Sequence, residues 1–185
     1  MTHFSRGADE SVCVAVAGTF GPVHDGHRAL FRTALERGDE GVLVALTGDE
    51  FARGKRERPV PDFEARRERV REELAALDEW GRDVEIRELH DEHGIASTDP
   101  SLDALVVSPE TAHELADINE ERVGRGLDPM EGFVVPFVRA ADGERISSTR
   151  LVAGEIDEHG DPTAGTDGDG RDPEDGETDE GDAEG

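Results

Sequence analysis

The sequence predicts an α/β fold: one domain over residues 1–157, built on a parallel sheet of about five strands with helices on both faces, then a disordered acidic tail over 158–185. Three observations carry this expectation. Short runs at 12–17, 42–46 and 105–107 are apolar at nearly every position, as strands covered on both faces must be. Segments of helical periodicity alternate with them, which favours parallel pairing through crossover helices. Residues 161–185 hold 11 acids, one arginine and no apolar side chain larger than alanine, too little burial to offset chain entropy.

Val12 to Ala17 reads as the first buried strand. Gly26 to Arg37 follows as a helix with Ala29, Leu30, Phe31 and Ala34 inward and Gly38 at its end. Val42 to Leu46 is the second strand, and Thr47 to Ala52 a short capped helical turn. Arg53 to Pro61 is a basic loop. Asp62 caps a long helix reaching about Trp80, with Val70, Leu74 and Leu77 on one stripe. Asp83 to Glu88 alternates as a third strand, and Leu89 to Pro100 is a long polar loop. Leu105 to Val107 is the fourth strand. Ser108, Pro109 and Glu110 supply a capping hydroxyl, a proline at the first helical position and an acid in the first turn. A helix is therefore expected to start there and end at Gly124 or Gly126. Phe133 to Val138 is the last strand, interrupted at Pro136. Ala141-Asp142-Gly143 turns the chain, and Ser147-Ser148-Thr149 opens a final helix. The order β-α-β-α-α-β-β-α-β-α is Rossmann-like.

Composition narrows the function. No run of 18 apolar residues exists, so no membrane span is expected, and Met1 to Glu10 lacks the apolar core of a secretory signal. Cys13, the single cysteine, sits inside the first strand as a small buried hydrophobe, which fits a cytoplasmic protein in a reducing compartment. The net charge is −26, from 46 acidic and 20 basic residues. That charge argues against nucleic-acid binding by phosphate neutralisation. The acids are spread along the whole chain, and Lys55 is the one lysine beside 19 arginines. The pattern resembles proteins of salt-loving archaea; at molar salt a Debye length of about 3 Å screens such self-repulsion.

The first strand runs into Thr19-Phe20-Gly21-Pro22-Val23-His24-Asp25-Gly26-His27. A turn at the carboxyl end of a parallel strand, leading into a helix N-terminus, is a ready anion site. Gly18 and Gly26 permit close backbone approach. His24 and His27 fall on the first helical turn, where imidazole N–H groups can face one phosphate chain near neutral pH. A zinc site is not expected, since no matched set of further ligands accompanies them. A nucleotide-handling enzyme is the first hypothesis.

At these residues the chain resembles the nucleotidyltransferase superfamily with a (Thr/His)-x-Gly-His signature, here His24-Asp25-Gly26-His27. The superfamily's second segment is matched by Ile146-Ser147-Ser148-Thr149-Arg150, whose hydroxyls, N–H groups and arginine form a second phosphate clamp. Within that superfamily residues 12–160 look most like the archaeal phosphopantetheine adenylyltransferases. The carriers are Gly18-Thr19-Phe20, Leu46 to Phe51, Val107 to Thr111, Ile118-Asn119 and Gly154 to Asp157, with the two motifs. The resemblance implies transfer of the adenylyl group of ATP to 4′-phosphopantetheine, giving 3′-dephospho-coenzyme A and pyrophosphate. ATP and 4′-phosphopantetheine are the expected partners, and Mg²⁺ is expected to arrive with ATP.

The same resemblance implies site roles. His24 would donate to the α-phosphate, and Thr19 would orient the attacking phosphate. His27, Ser148, Thr149 and Arg150 would hold the β- and γ-phosphates, with Phe20, Ile146 and Ser147 completing the ATP site. Lys55 would contact the acceptor phosphate or the α-phosphate, a task suited to a compact ammonium; the neighbouring Arg53, Arg56 and Arg58 read either as its helpers or as a solvated basic face. Bacterial relatives place Arg-Gly-Leu-Arg after the fourth strand, where this chain has Ser108-Pro109-Glu110-Thr111; Arg122, Arg125 or Arg150 are the expected substitutes. His90, Asp91 and His93 read as a polar surface loop near the substrate pocket, with a metal site as the alternative. Rival functions are transfer to nicotinamide mononucleotide, flavin mononucleotide or glycerol phosphate, a non-catalytic nucleotide-binding module, and an acidic interaction scaffold. Oligomeric state stays open.

Overall fold

The computed structural model describes residues 11–55 and 57–163. The strands are β1 (Cys13–Gly18), β2 (Gly41–Thr47), β3 (Val84–Leu89), β4 (Ala104–Val107) and β5 (Glu131–Val134). The helices are α1 (Asp25–Arg37), α2 (Asp49–Lys55), α3 (Phe63–Leu77), α4 (Gly94–Thr98), α5 (Glu114–Gly124) and α6 (Ser148–Val152). The strands form one five-stranded sheet in the order β3-β2-β1-β4-β5, and every pairing is parallel. The expected Rossmann-like sheet is present. Its strand order reverses between β1 and β4, and the crevice outside the carboxyl ends of those strands is where such sheets bind ligands.

Alternation along the strands divides the core in two. Val14, Val16, Val42, Val44, Leu46 and Val106 face α1 and α3, where they meet Phe31, Leu35, Val70 and Leu74. Their neighbours Ala15, Leu43, Leu105 and Val107 face the other way and pack with Leu102, Ile118 and Met130. Both faces are therefore covered, which explains the unbroken apolar runs. Phe31 is fully buried, a contribution of about 1.5–3 kcal/mol relative to exposure. A third cluster of Ala140, Ile146 and Ile156 lies under the final helix.

Several elements differ from the sequence expectation. Ser108 does not cap a helix. Its backbone N–H and the Thr111 hydroxyl are 3.2 Å apart, and Thr111 and Glu114 each close a turn three residues back. Local side-chain to backbone bonds of this kind compete with helix, and α5 begins only at Glu114. The polar loop after β3 contains α4, a helix of five residues. It is held from outside: buried Arg122 of α5 donates to the carbonyls of Ala96, Asp99 and Leu102. The last strand ends at Val134, two residues before the proline that cannot donate to the sheet. Phe137 and Val138 instead lead into a hairpin closed by Arg139 and Arg145. The α2 helix takes in Arg53 to Lys55, expected in a loop. Residues 158–163, expected in the tail, turn back onto the start of α1 through a hydrogen bond from Asp25 N to Glu158 O of 3.0 Å. The rest of the expected tail, 164–185, lies outside the described residues.

Candidate active site

The carboxyl ends of β1, β4 and β5 open into a cleft of about 250 Å³. One wall is the turn after β1 with the first turn of α1; another is Val107 to Thr111; the third is Val135 to Val138 and Arg145 to Thr149. The cleft sits at the reversal of strand order, where α/β sheets place their ligands.

His24 takes the N-cap position of α1 with extended backbone, but its side chain caps nothing. The imidazole instead lies back over the helix start, 6% exposed. Gly26 makes this possible, since a Cβ there would stand 2.9 Å from the His24 ring. His24 and His27 stack with ring centroids 3.7 Å apart. The Nδ1 of His24 is buried and makes no hydrogen bond among the described residues. Burial pushes its pKa down to about 4, against a smaller upward pull from Asp25 and further downward pushes from Arg28, Arg58 and Arg145. His24 is thus neutral at pH 7, with one N–H to donate.

Phe20 is buried with a left-handed φ of +46°, a conformation costing about 1–3 kcal/mol for a non-glycine residue. Its ring holds it there, edge-on to His27 at 5.1 Å and to Phe31 at 4.8 Å. Phe20 therefore shapes the turn and supports His27. Thr19 is buried, and its hydroxyl accepts from Thr47 at 3.1 Å.

The second motif meets the first directly. Ser147 caps α6, accepting from Arg150 N at 3.4 Å. Ser148 donates to the Pro22 carbonyl at 2.9 Å, tying α6 to the turn before His24. Ile146 is buried beneath, and Ser147, Ser148 and Thr149 line the cleft. Eight expected site residues thus gather at one cleft: Thr19, Phe20, His24, His27, Ile146, Ser147, Ser148 and Thr149.

Two do not. The Arg150 guanidinium is taken by Asp142 and Glu155, beside the Arg145 carbonyl. Both carboxylates are in hydrogen-bond contact, so this arginine serves the hairpin rather than the cleft wall. Lys55 pairs with Glu92 across from the end of α2, with its ammonium 4.8 Å from the Phe51 ring centroid. It is about half exposed and does not line the cleft.

The expected substitute arginines are also engaged elsewhere. Arg122 is buried among backbone carbonyls, and Arg125 pairs with Glu121 at 3.0 Å. Arg53 faces Asp49 at 3.9 Å, and Arg56 lies outside the described residues. His93 meets Glu121 at 2.9 Å and His90 faces Glu88 at 3.8 Å, both away from the cleft. Among the described residues no group of His, Cys, Asp and Glu is arranged to hold a metal ion.

Three other arginines support the cleft, and one of them, Arg58, is among the expected helpers. Arg58 lines it and donates to the Gly21 carbonyl at 2.7 Å. Arg145 lines it, paired with Glu110 at 2.7 Å and 5.2 Å from the Phe137 ring centroid. Arg66 is 1% exposed beneath the floor, donating to the carbonyls of Thr19, Thr47 and Pro61 and to Asp49. Arg145 stands next to Ile146 in sequence, which is a usable signal. Arg66 gives none, for it is one of several arginines on a charged helix.

A model of the family described as cytidylyltransferase-like matches residues 15–154. A protein of Methanopyrus kandleri named phosphopantetheine adenylyltransferase is 45% identical over 148 residues, covering 78% of this chain and 90% of that one. A protein of the same name from Pyrobaculum aerophilum is 42% identical over 138 residues, covering 75% and 88%. Among solved structures, a protein of unknown function from Archaeoglobus fulgidus is similar with a TM-score of 0.59 at 31% identity, covering 67% of this chain and 89% of that one.

Proposed function

The chain belongs to the cytidylyltransferase-like family, and from that premise we propose that it transfers the adenylyl group of ATP to 4′-phosphopantetheine, releasing pyrophosphate and 3′-dephospho-coenzyme A. The named relatives that align over most of its length support this acceptor. The observation that carries the mechanism is the junction of the two motifs: Ser148 bonds the carbonyl of Pro22, so the walls formed by α6 and by the start of α1 are tied together beside a neutral, buried His24.

The nucleophile, an acceptor phosphate oxygen, is already ionised and needs no enzyme base. It attacks the α-phosphorus in line as the bond to the β-phosphate bridging oxygen breaks, and pyrophosphate leaves. Catalysis then rests on positioning and on donors aimed at developing charge. His24 donates to the α-phosphate. Thr19, fixed by Thr47, orients the acceptor phosphate from the end of β1. His27 with the Ser147 and Thr149 hydroxyls and the backbone N–H of Ser148 holds the outer phosphates, supported by Phe20 and Ile146; the Ser148 hydroxyl is spent on Pro22. Arg58 and Arg145, already at the cleft, supply the positive charge first expected from Arg150.

Mg²⁺ belongs to the ATP substrate, carried on phosphate oxygens and water. Glu110 is the one carboxylate lining the cleft among the described residues, and it is paired with Arg145. Lys55 would reach the reacting phosphates on leaving Glu92. The reaction run backwards tests the proposal. Pyrophosphate and 3′-dephospho-coenzyme A should yield ATP, detected by luminescence, and failure to form ATP while the protein is folded would overturn it.

A further inference from the structure

We propose that residues 156–163 form a strap that positions the two phosphate-facing motifs, His24–His27 and Ile146–Thr149, in one geometry; this rests on the adenylyl transfer proposed above. The strap is closed on itself. Asp157 accepts from the backbone N–H groups of His159 and Asp161, both at 2.9 Å, and its own N–H donates to the Asp161 carbonyl at 2.8 Å.

Its flanks, Ile156 and Gly160, are seated under the second motif. Ile156, 3% exposed, packs with Ala140 and with Ile146 itself. The carbonyl of Gly160 accepts from Ala141 N at 3.0 Å. Gly160 has a φ of +86°, and a Cβ there would stand 2.7 Å from Ala140 Cα and 2.8 Å from Ile146 Cδ1. Only glycine lets the strap lie this close.

Its middle, Glu158 and His159, holds the first motif. The Asp25 N–H, one of the first-turn donors without an intrahelical partner, bonds the Glu158 carbonyl at 3.0 Å. The Glu158 carboxylate meets Arg28 at 3.1 Å, and His159 Nδ1 meets the Asp25 carboxylate at 3.2 Å. Arg28 is held in turn by both oxygens of Glu73 on α3, each at 2.8 Å. The first turn of α1 is thereby clamped between α3 and the strap, with His24 and His27 on it. Displacement of a transition-state donor by about 1 Å can cost about a hundredfold in rate, so the strap is a positioning element for the reaction.

The test uses the full chain with Gly160→Val, and separately with Glu158→Ala and His159→Ala combined. Turnover and KM for ATP are measured with 4′-phosphopantetheine, and amide hydrogen exchange is followed in peptides covering 22–31 and 41–47. The expected result is a kcat at least about tenfold lower, with KM for ATP rising as well because the displaced motifs hold its outer phosphates. Exchange over 22–31 should quicken while 41–47 stays protected. Should Gly160→Val lose protection at 41–47, the double variant decides. A folded variant with kcat within about twofold of wild type, or with unchanged exchange over 22–31, overturns the strap. A wild-type chain without turnover overturns the reaction itself, and the strap's role in it.

Discussion

The imidazoles of His24 and His27 lie stacked, ring centroids 3.7 Å apart and planes 21° from parallel, with Phe20 edge-on to the second ring. Two cationic rings would not share this geometry in a buried turn, and burial holds the His24 pKa near 4. A carbon-observed NMR titration of the ligand-free protein should show His24 neutral down to about pH 5, and a midpoint above 6 would contradict the site described.

That depressed pKa has a consequence for stability. The unfolded imidazole titrates near 6.5 and the folded one near 4, so between these values the unfolded chain binds more protons. His24's contribution is fully present above about pH 6.5 and is lost as pH falls toward 4, amounting to about 3 kcal/mol. Urea midpoints for wild type should fall faster over this window than those of His24→Leu; parallel curves would mean that His24 is not the group responsible.

In the proposed reaction His24 donates to the transition state, and His24→Ala removes that donor. We expect kcat to fall by about 10²–10³ with little change in ATP affinity. Steady-state kinetics beside ATP binding measured by calorimetry separates the two, and unchanged turnover would remove His24 from the mechanism.

Arg66 supports the floor through four partners on three segments. Arg66→Met leaves the carbonyls of Thr19, Thr47 and Pro61 without this donor in a buried place. The expected cost is about 3–5 kcal/mol in unfolding free energy by chemical denaturation. A loss below about 1 kcal/mol would show that water replaces it.

Lys55 rests in an exposed pair with Glu92, an interaction worth about 0–1 kcal/mol at most surfaces. Its release toward a bound phosphate is therefore inexpensive. Lys55→Ala should lower kcat/KM for the acceptor by tenfold or more, about 1.4 kcal/mol. Turnover equal to wild type would leave Lys55 as a surface partner of Glu92 alone.

The sheet was legible because its signal is local: runs such as Val42 to Leu46 can be buried on both faces and little else. Both motifs that meet at the cleft are legible for the same reason, each being a few consecutive residues at a helix start. What sequence could not show depends on distant partners. Arg66 looks like one more surface arginine of a charged helix, and Arg122 like a phosphate contact, until their carbonyl partners, far off in sequence, are brought to them. For Arg150 the sequence shows a position beside the second motif but not the hairpin that sets Asp142 against its guanidinium. α5 starts later than the sequence predicts because the Ser108 and Thr111 side chains favour successive turns over a cap. Residues 158–163 looked like tail because their composition is polar, yet their hydrogen bonds go to Asp25 and Ala141.

The most direct measurement is pyrophosphate release by the full chain in molar potassium chloride with ATP, magnesium and a panel of acceptors. Release should follow 4′-phosphopantetheine and be absent or far slower with nicotinamide mononucleotide, flavin mononucleotide and glycerol phosphate. Release with one of those three but not with 4′-phosphopantetheine would contradict the account.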